Sequence, residues 1–158
     1  MSHQITLLVA TMTGTAELVA AEVASALAET GHQADIVPCD SADNDTLARG
    51  GVFLIVSSTY GNGDVPDNAR QFVENIDAAR PDLTNIAYGL IALGDSTYRA
   101  TYCHGAKKFD QLFTDCGARR VGEPLYHDAS AGTIPEDEAR SWVNNWARDE
   151  LSRLQQAA

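Results

Sequence analysis

Three short stretches of this 158-residue chain carry side chains whose chemistry is complementary. Thr11-Met12-Thr13-Gly14-Thr15-Ala16 sets three hydroxyls and a glycine at the start of a helical pattern. Backbone N–H groups at a helix start point outward and carry partial positive charge. The hydroxyls add further donors, and Gly14 allows close backbone approach. The stretch holds no Lys or Arg, so a phosphate here would be bound by neutral donors, which suits a terminal monoester. The same residues would also make a threonine-rich helix cap. A second stretch, Ser57-Ser58-Thr59-Tyr60-Gly61-Asn62-Gly63-Asp64, places Tyr60 beside two glycines, where it could stack on a flat ring. Alone, it reads as a surface turn with an incidental tyrosine. The third, Gly94-Asp95-Ser96-Thr97-Tyr98-Arg99-Ala100-Thr101-Tyr102-Cys103, adds two tyrosines and alone reads as a plain loop.

Each stretch follows an apolar run that the sequence marks as a strand. Ile5 to Ala10 gives a first strand, Val52 to Val56 a third and Tyr88 to Leu93 a fourth. A weaker second strand runs from Ala34 to Pro38, and a fifth from Val121 to Tyr126. Helical patterns lie between them. Val19, Val23 and Leu27 recur four apart within Glu17 to Thr30, and Gly31 ends that helix. Asp43 to Arg49 is the weakest helical segment. Asp64 to Ala79 opens with Pro66 in its first turn. Ala106, Phe109, Leu112, Phe113 and Cys116 line one face of a fourth helix. Thr133-Ile134-Pro135-Glu136 has capping-box spacing ahead of a last helix anchored by Trp142, Trp146 and Leu154.

Strands alternating with helices imply an α/β domain with a parallel sheet covered on both faces, one domain spanning 1–158. Strands 1, 3 and 4 are almost wholly apolar and belong in the centre. Strands 2 and 5 carry Asp35, Pro38, Glu123 and Pro124, which suit edges. The order 2-1-3-4-5 meets these demands with right-handed crossovers. It is the order of the flavodoxin-like three-layer sandwich, whose ligand sits at the switch point between strands 1 and 3, beyond their carboxyl ends. All three loops meet there. A phosphate cradle beside two aromatic loops describes a site for a planar ring carrying a phosphorylated ribityl chain.

Composition narrows the function classes. Eleven Lys and Arg against 22 Asp and Glu give a formal net charge of −11. Nucleic acid and anionic membrane both want basic surface, so neither is expected as a partner. Cys39, Cys103 and Cys116 form no CxxC pair and no metal-ligand spacing, and scattered thiols suit a reducing compartment. His3, His32, His104 and His127 show no ligand spacing and read as surface or supporting residues. No signal peptide or membrane-length apolar run is seen, so a cytoplasmic protein is expected.

The three loops also resemble those of a known family. Thr11 to Glu17 is similar to the phosphate loop of flavodoxins, especially the Thr-Gly-Thr-Ala-Glu form found in the FMN domains of diflavin reductases. Ser58 to Asn68 resembles the second flavin loop of that group, and Leu93-Gly94-Asp95-Ser96-Thr97-Tyr98 the third. The likeness to short-chain flavodoxins of the MioC type extends through Pro81-Asp82-Leu83 and Ile134-Pro135-Glu136-Asp137. It implies FMN as cofactor and an electron-carrier role. By this resemblance the cofactor-binding residues are Thr11, Met12, Thr13, Gly14, Thr15 and Ala16 in the first loop. In the second they are Ser58, Thr59, Tyr60, Gly61, Asn62 and Gly63, and in the third Leu93, Gly94, Asp95, Tyr98, Tyr102 and Cys103. Ala16 stands where the common flavodoxin loop has Thr, so one phosphate contact is backbone only. An extra residue between Tyr98 and Cys103 leaves either Tyr98 or Tyr102 as the second stacking ring, with Tyr98 preferred. No room exists between Val121 and Asp128 for the insertion that splits the last strand of long-chain flavodoxins.

A carrier needs no acid–base catalyst, and none is assigned. Gly61 would tolerate a peptide flip that turns a carbonyl toward the ring edge. Asp64, Asp67, Asp95 and Asp128 are the carboxylates expected near it. The expected partners are a flavodoxin/ferredoxin-type NADP reductase as donor and an electron-accepting enzyme, both with basic docking surfaces, and the chain is expected to be a monomer. The alternative is a flavodoxin-fold NAD(P)H:quinone reductase, but Gly61-Asn62-Gly63 lacks the third glycine of a dinucleotide fingerprint. A receiver domain would need carboxylates after strands 1 and 3, and Ala10-Thr11-Met12 and Val56-Ser57-Ser58 offer none. Gly94-Asp95-Ser96-Thr97-Tyr98 misses the GxSxG elbow at its last position.

Overall fold

Long apolar runs become the centre of a parallel sheet. In the computed structural model, which describes residues 4–11, 14–58, 65–94 and 103–157, β1 (Gln4–Ala10), β3 (Gly51–Ser57) and β4 (Ile86–Gly94) are its inner strands. β2 (Gln33–Pro38) pairs with the outer side of β1. The order is β2-β1-β3-β4, with two short strands beyond β4. Strand order and edge placement follow the sequence expectation.

Alternate residues of the inner strands face opposite ways, as the two-residue period of a strand requires. Leu7, Val9, Leu54, Val56, Ile91 and Leu93 pack on one side against α1 (Thr15–Glu29) and α5 (Pro135–Trp146). Leu8, Phe53, Ile55, Tyr88 and Leu90 face the other side and meet α3 (Asp67–Ala79) and α4 (His104–Asp115). The predicted stripe of Val19, Val23 and Leu27 is buried. The uncertain segment forms α2 (Asn44–Ala48), capped by Asp43, whose carboxylate accepts the Thr46 N–H at 3.0 Å.

Beyond shifts of one or two residues at strand ends, four features differ from the sequence reading. α1 begins at Thr15, two residues early, because Gly14 adopts a left-handed conformation that starts the helix there. α3 starts at Asp67, and Pro66 is its N-cap rather than part of the first turn. The proposed capping box does not form: Ile134 caps α5, and the Thr133 hydroxyl bonds the Glu138 carboxylate instead. Pro135 takes the first helical position, where its missing N–H costs nothing.

The fourth correction is the fifth strand. It is split into β5 (Arg119–Arg120) and β6 (Leu125–Asp128), both paired with β4. Val121 still donates its N–H to the Tyr88 carbonyl at 2.8 Å. Gly122 then turns left-handed at φ 77°, and Pro124 has no N–H for a ladder. The freed carbonyls find other donors. The Trp146 indole N–H bonds the Val121 carbonyl at 2.9 Å, and that of Trp142 bonds the Glu123 carbonyl at 3.0 Å. The two indoles stack with centroids 5.7 Å apart. After Trp146 the helix widens into a π turn over Ala147–Leu151 and resumes as α6 (Ser152–Ala157).

Among the described residues no helix is long and apolar enough to cross a membrane, and no group of three or more His, Cys, Asp or Glu could hold a metal ion.

Candidate functional site

The sheet register brings the loop origins together. Ala10 lies opposite Ser57, Ser57 opposite Ala92, and Gly94 opposite Asp128. The chain therefore leaves β1, β3, β4 and β6 side by side. The β1/β3 boundary is where the strand order reverses, the position at which open α/β sheets bind ligands.

The first loop is described at both ends. Gly14, at φ 92°, is the N-cap of α1 and, as a glycine, brings no side chain of its own to cap that helix start. The leading N–H groups of a helix have no partner within it. Gly14 donates its own N–H to Thr11 Oγ1 at 3.0 Å. Having accepted this bond, the Thr11 hydroxyl can still donate its proton outward. Ala16 is fully buried, so it contributes backbone only, while Thr15 is partly exposed. Glu17 is the one acid of the first turn, and no basic side chain lies there. This donor set is neutral, concentrated and headed by a glycine; it fits a phosphate monoester.

The second loop starts from a fixed peptide. Ser58 donates its N–H to the Ala10 carbonyl at 2.9 Å, extending the β1–β3 ladder by one bond. The buried Ser57 hydroxyl donates to the Ser58 carbonyl at 2.9 Å. The third loop leaves from Leu93, buried against the α1 side of the sheet, and Gly94. It returns at Cys103, the left-handed N-cap of α4 at φ 57°. The Cys103 side chain is buried in the cluster shared with α3 and α4. Met12, Thr13, Thr59, Tyr60, Gly61, Asn62, Gly63, Asp64, Asp95, Tyr98 and Tyr102 lie outside the described residues.

Two groups of residues near these loops escaped the sequence reading. Asn68, in the first turn of α3, accepts the Thr11 N–H at 2.9 Å and donates to the Val9 carbonyl at 3.1 Å. His127, read as a surface or supporting residue, is buried, with Nδ1 3.4 Å from Glu138 Oε1. The Thr133 hydroxyl, and after it His127, hold the Glu138 carboxyl below its usual range. Next to His127, Asp128 accepts from the Ser130 N–H and hydroxyl at 3.0 and 2.8 Å. The Thr133–Glu138 and Asp128–Ser130 bonds fasten the turn from β6 to α5 at the site's edge. Only long-range contacts reveal them, since no spacing rule links Asn68 to β1 or His127 to Glu138.

Comparison with known proteins agrees with this geometry. The family model described as flavodoxin matches residues 7–142. The flavodoxin YqcA of Escherichia coli K12 is 38% identical over 143 residues, covering 90% of this chain and 95% of that protein. The protein MioC of the same strain is 34% identical over 142 residues, covering 90% and 95%. A solved structure of a cysteine-to-serine mutant of a flavodoxin from Pseudomonas aeruginosa superposes with a TM-score of 0.83 at 33% identity, covering 92% of this chain and 97% of that one.

Proposed function

This chain belongs to the flavodoxin family of FMN-binding electron-transfer proteins, and on that premise we propose that it shuttles single electrons between a reductase and an acceptor enzyme, with no substrate chemistry of its own. Bound FMN supplies a ring that takes up and gives back one or two electrons. The observation that carries the reading is the start of α1 at a left-handed glycine N-cap, Gly14, placed at the switch point of the sheet.

Thr11, Met12, Thr13, Gly14, Thr15 and Ala16 would hold the phosphate through N–H groups and hydroxyls. Ser58 to Gly63 and Leu93 to Cys103 would border the ring, with Tyr60 on one face and Tyr98 or Tyr102 on the other. Such stacks contribute roughly 0.5–1.5 kcal/mol each beyond the area they bury. The Ser57 hydroxyl, by holding the Ser58 carbonyl, fixes the peptide from which the second loop departs. Charge supports the partner class. Glu17, Asp67, Glu136 and Asp137 occupy the first turns of α1, α3 and α5, all of which begin at the carboxyl end of the sheet. These acids, interrupted by Lys107 in the first turn of α4, on a chain of net charge −11 favour a basic partner and raise its rate of encounter. A flavodoxin/ferredoxin-type NADP reductase is the proposed donor.

The test begins with the visible spectrum of the purified protein and identification of the released chromophore as FMN. NADPH is then added with and without a ferredoxin-type NADP reductase, using cytochrome c as acceptor. Cytochrome reduction is expected only with the reductase present, and should slow as salt rises. Direct NADPH oxidation by the pure protein with a quinone would put the quinone-reductase reading in its place.

A further inference from the structure

We propose that Asn68 is a positioning residue for phosphate recognition, clamping the end of β1 from α3 so that the start of α1 presents its donors to the FMN phosphate. The inference rests on the FMN reading above. One carboxamide grips two backbone groups on either side of Ala10. Its Nδ2 donates to the Val9 carbonyl at 3.1 Å, and its Oδ1 accepts the Thr11 N–H at 2.9 Å. The bonds continue from there, because the Thr11 hydroxyl accepts the Gly14 N–H at 3.0 Å. A connected path thus runs from the first turn of α3, through Thr11, to the N-cap of α1.

The sheet does not supply this restraint. β2 ends at Pro38, opposite Val9, and the β1–β3 register ends at Ala10 opposite Ser57. The Ala10 carbonyl is already taken by the Ser58 N–H at 2.9 Å. Thr11 is therefore the residue at which the chain leaves the ladder, and Asn68 fixes its peptide. The group that benefits is the glycine-headed helix start, whose donors bind an anion well only if they are held in place before it arrives. Asn68 need not touch the cofactor to act in this way.

A role confined to phosphate positioning has a signature that general support of the fold lacks. Riboflavin has the same ring as FMN but no phosphate, so the ratio of the two dissociation constants isolates the phosphate contribution. The experiment titrates the full-length apoprotein with each flavin by fluorescence quenching, for the parent, Asn68→Ala and Asn68→Leu. The leucine variant keeps most of the side-chain volume and carries the test if alanine does not fold, and circular dichroism establishes folding for each. Two lost hydrogen bonds should weaken FMN by roughly tenfold to a hundredfold. Riboflavin should change by less than about threefold, so the riboflavin-to-FMN ratio should collapse by about tenfold or more. Equal weakening of both flavins, or no change in either, overturns the clamp while leaving the FMN reading intact. A parent protein that quenches neither flavin overturns both.

Discussion

Gly89 in β4 is occupied from outside by a tryptophan, and adding one methyl there should disturb the far edge of the sheet. A Cβ at this position would lie 2.7 Å from Leu54 Cδ2 and 2.9 and 3.0 Å from Cε2 and Cζ2 of Trp146. Carbon atoms pack best at about 3.5–4.0 Å, so the neighbours must retreat by roughly 0.5–1 Å. Trp146 has little freedom to do so: it is 3% exposed, stacked on Trp142 and bonded to the Val121 carbonyl. Overpacking of this kind costs roughly 1–3 kcal/mol. Replacing glycine also removes unfolded-state freedom worth about 0.4–1 kcal/mol in the other direction. Gly89→Ala should therefore destabilise by about 1–2 kcal/mol, or roughly 2–8 °C in Tm for a chain of this size. Urea unfolding followed by circular dichroism, at one fixed excess of FMN, measures it. The excess is held constant because ligand bound only to the folded state adds to apparent stability. In a Trp146→Phe background the smaller ring leaves room, and the cost of Gly89→Ala should fall by at least about 0.5 kcal/mol. A Gly89→Ala protein as stable as its parent, or a cost unchanged by Trp146→Phe, would refute the account of how the split edge is held.

Glu138→Gln should lower stability at neutral pH, with the deficit closing in acid. The Thr133 hydroxyl, followed by His127, lowers the Glu138 carboxyl below its ordinary range. A lowered acid stabilises the fold above its unfolded pKa, and the contribution is lost as pH falls through the folded one. Urea midpoints across pH 7 to about 3 check the convergence. Thiol labelling of the native protein should find one accessible cysteine, Cys116, and Cys116→Ser should abolish the fast phase. Cys39 and Cys103 are buried, and burial pushes the Cys39 thiol up to about 12. Tyr88→Phe should cost about 1–2 kcal/mol by urea unfolding. Its hydroxyl donates to Asp110 Oδ1 at 2.5 Å, and Arg120 holds the other oxygen of that carboxylate at 2.6 Å. Burial, with the same carboxylate, raises the phenol well above its ordinary range.

What the sequence disclosed and what it withheld divide along the range of the interactions. The Ile5–Ala10 and Val52–Val56 runs announce central strands because burial on both faces leaves no polar position to interrupt them. The donors ahead of α1 are legible because Thr11, Gly14 and Thr15 are near neighbours in the chain, although the helix itself begins two residues before the expected Glu17. The broken fifth strand is different. Glu123 and Pro124 predicted an edge correctly. The break itself is stabilised by Trp142 and Trp146, whose indoles satisfy carbonyls 19 and 25 residues earlier. Thr133 and Glu136 satisfied the capping-box spacing, yet Ile134 is the N-cap and the Thr133 hydroxyl bonds Glu138 instead. Asn68 stands within a motif read for its glycines and proline, and nothing local marks it as the partner of Thr11, 57 residues away. A binding loop can thus be read from its own donors, while its rigidity is owed to a side chain on another element. The affinity of such a site for an anion depends on both. For that reason a variant that keeps every residue of the Thr11–Ala16 loop should still lose phosphate recognition when Asn68 is removed.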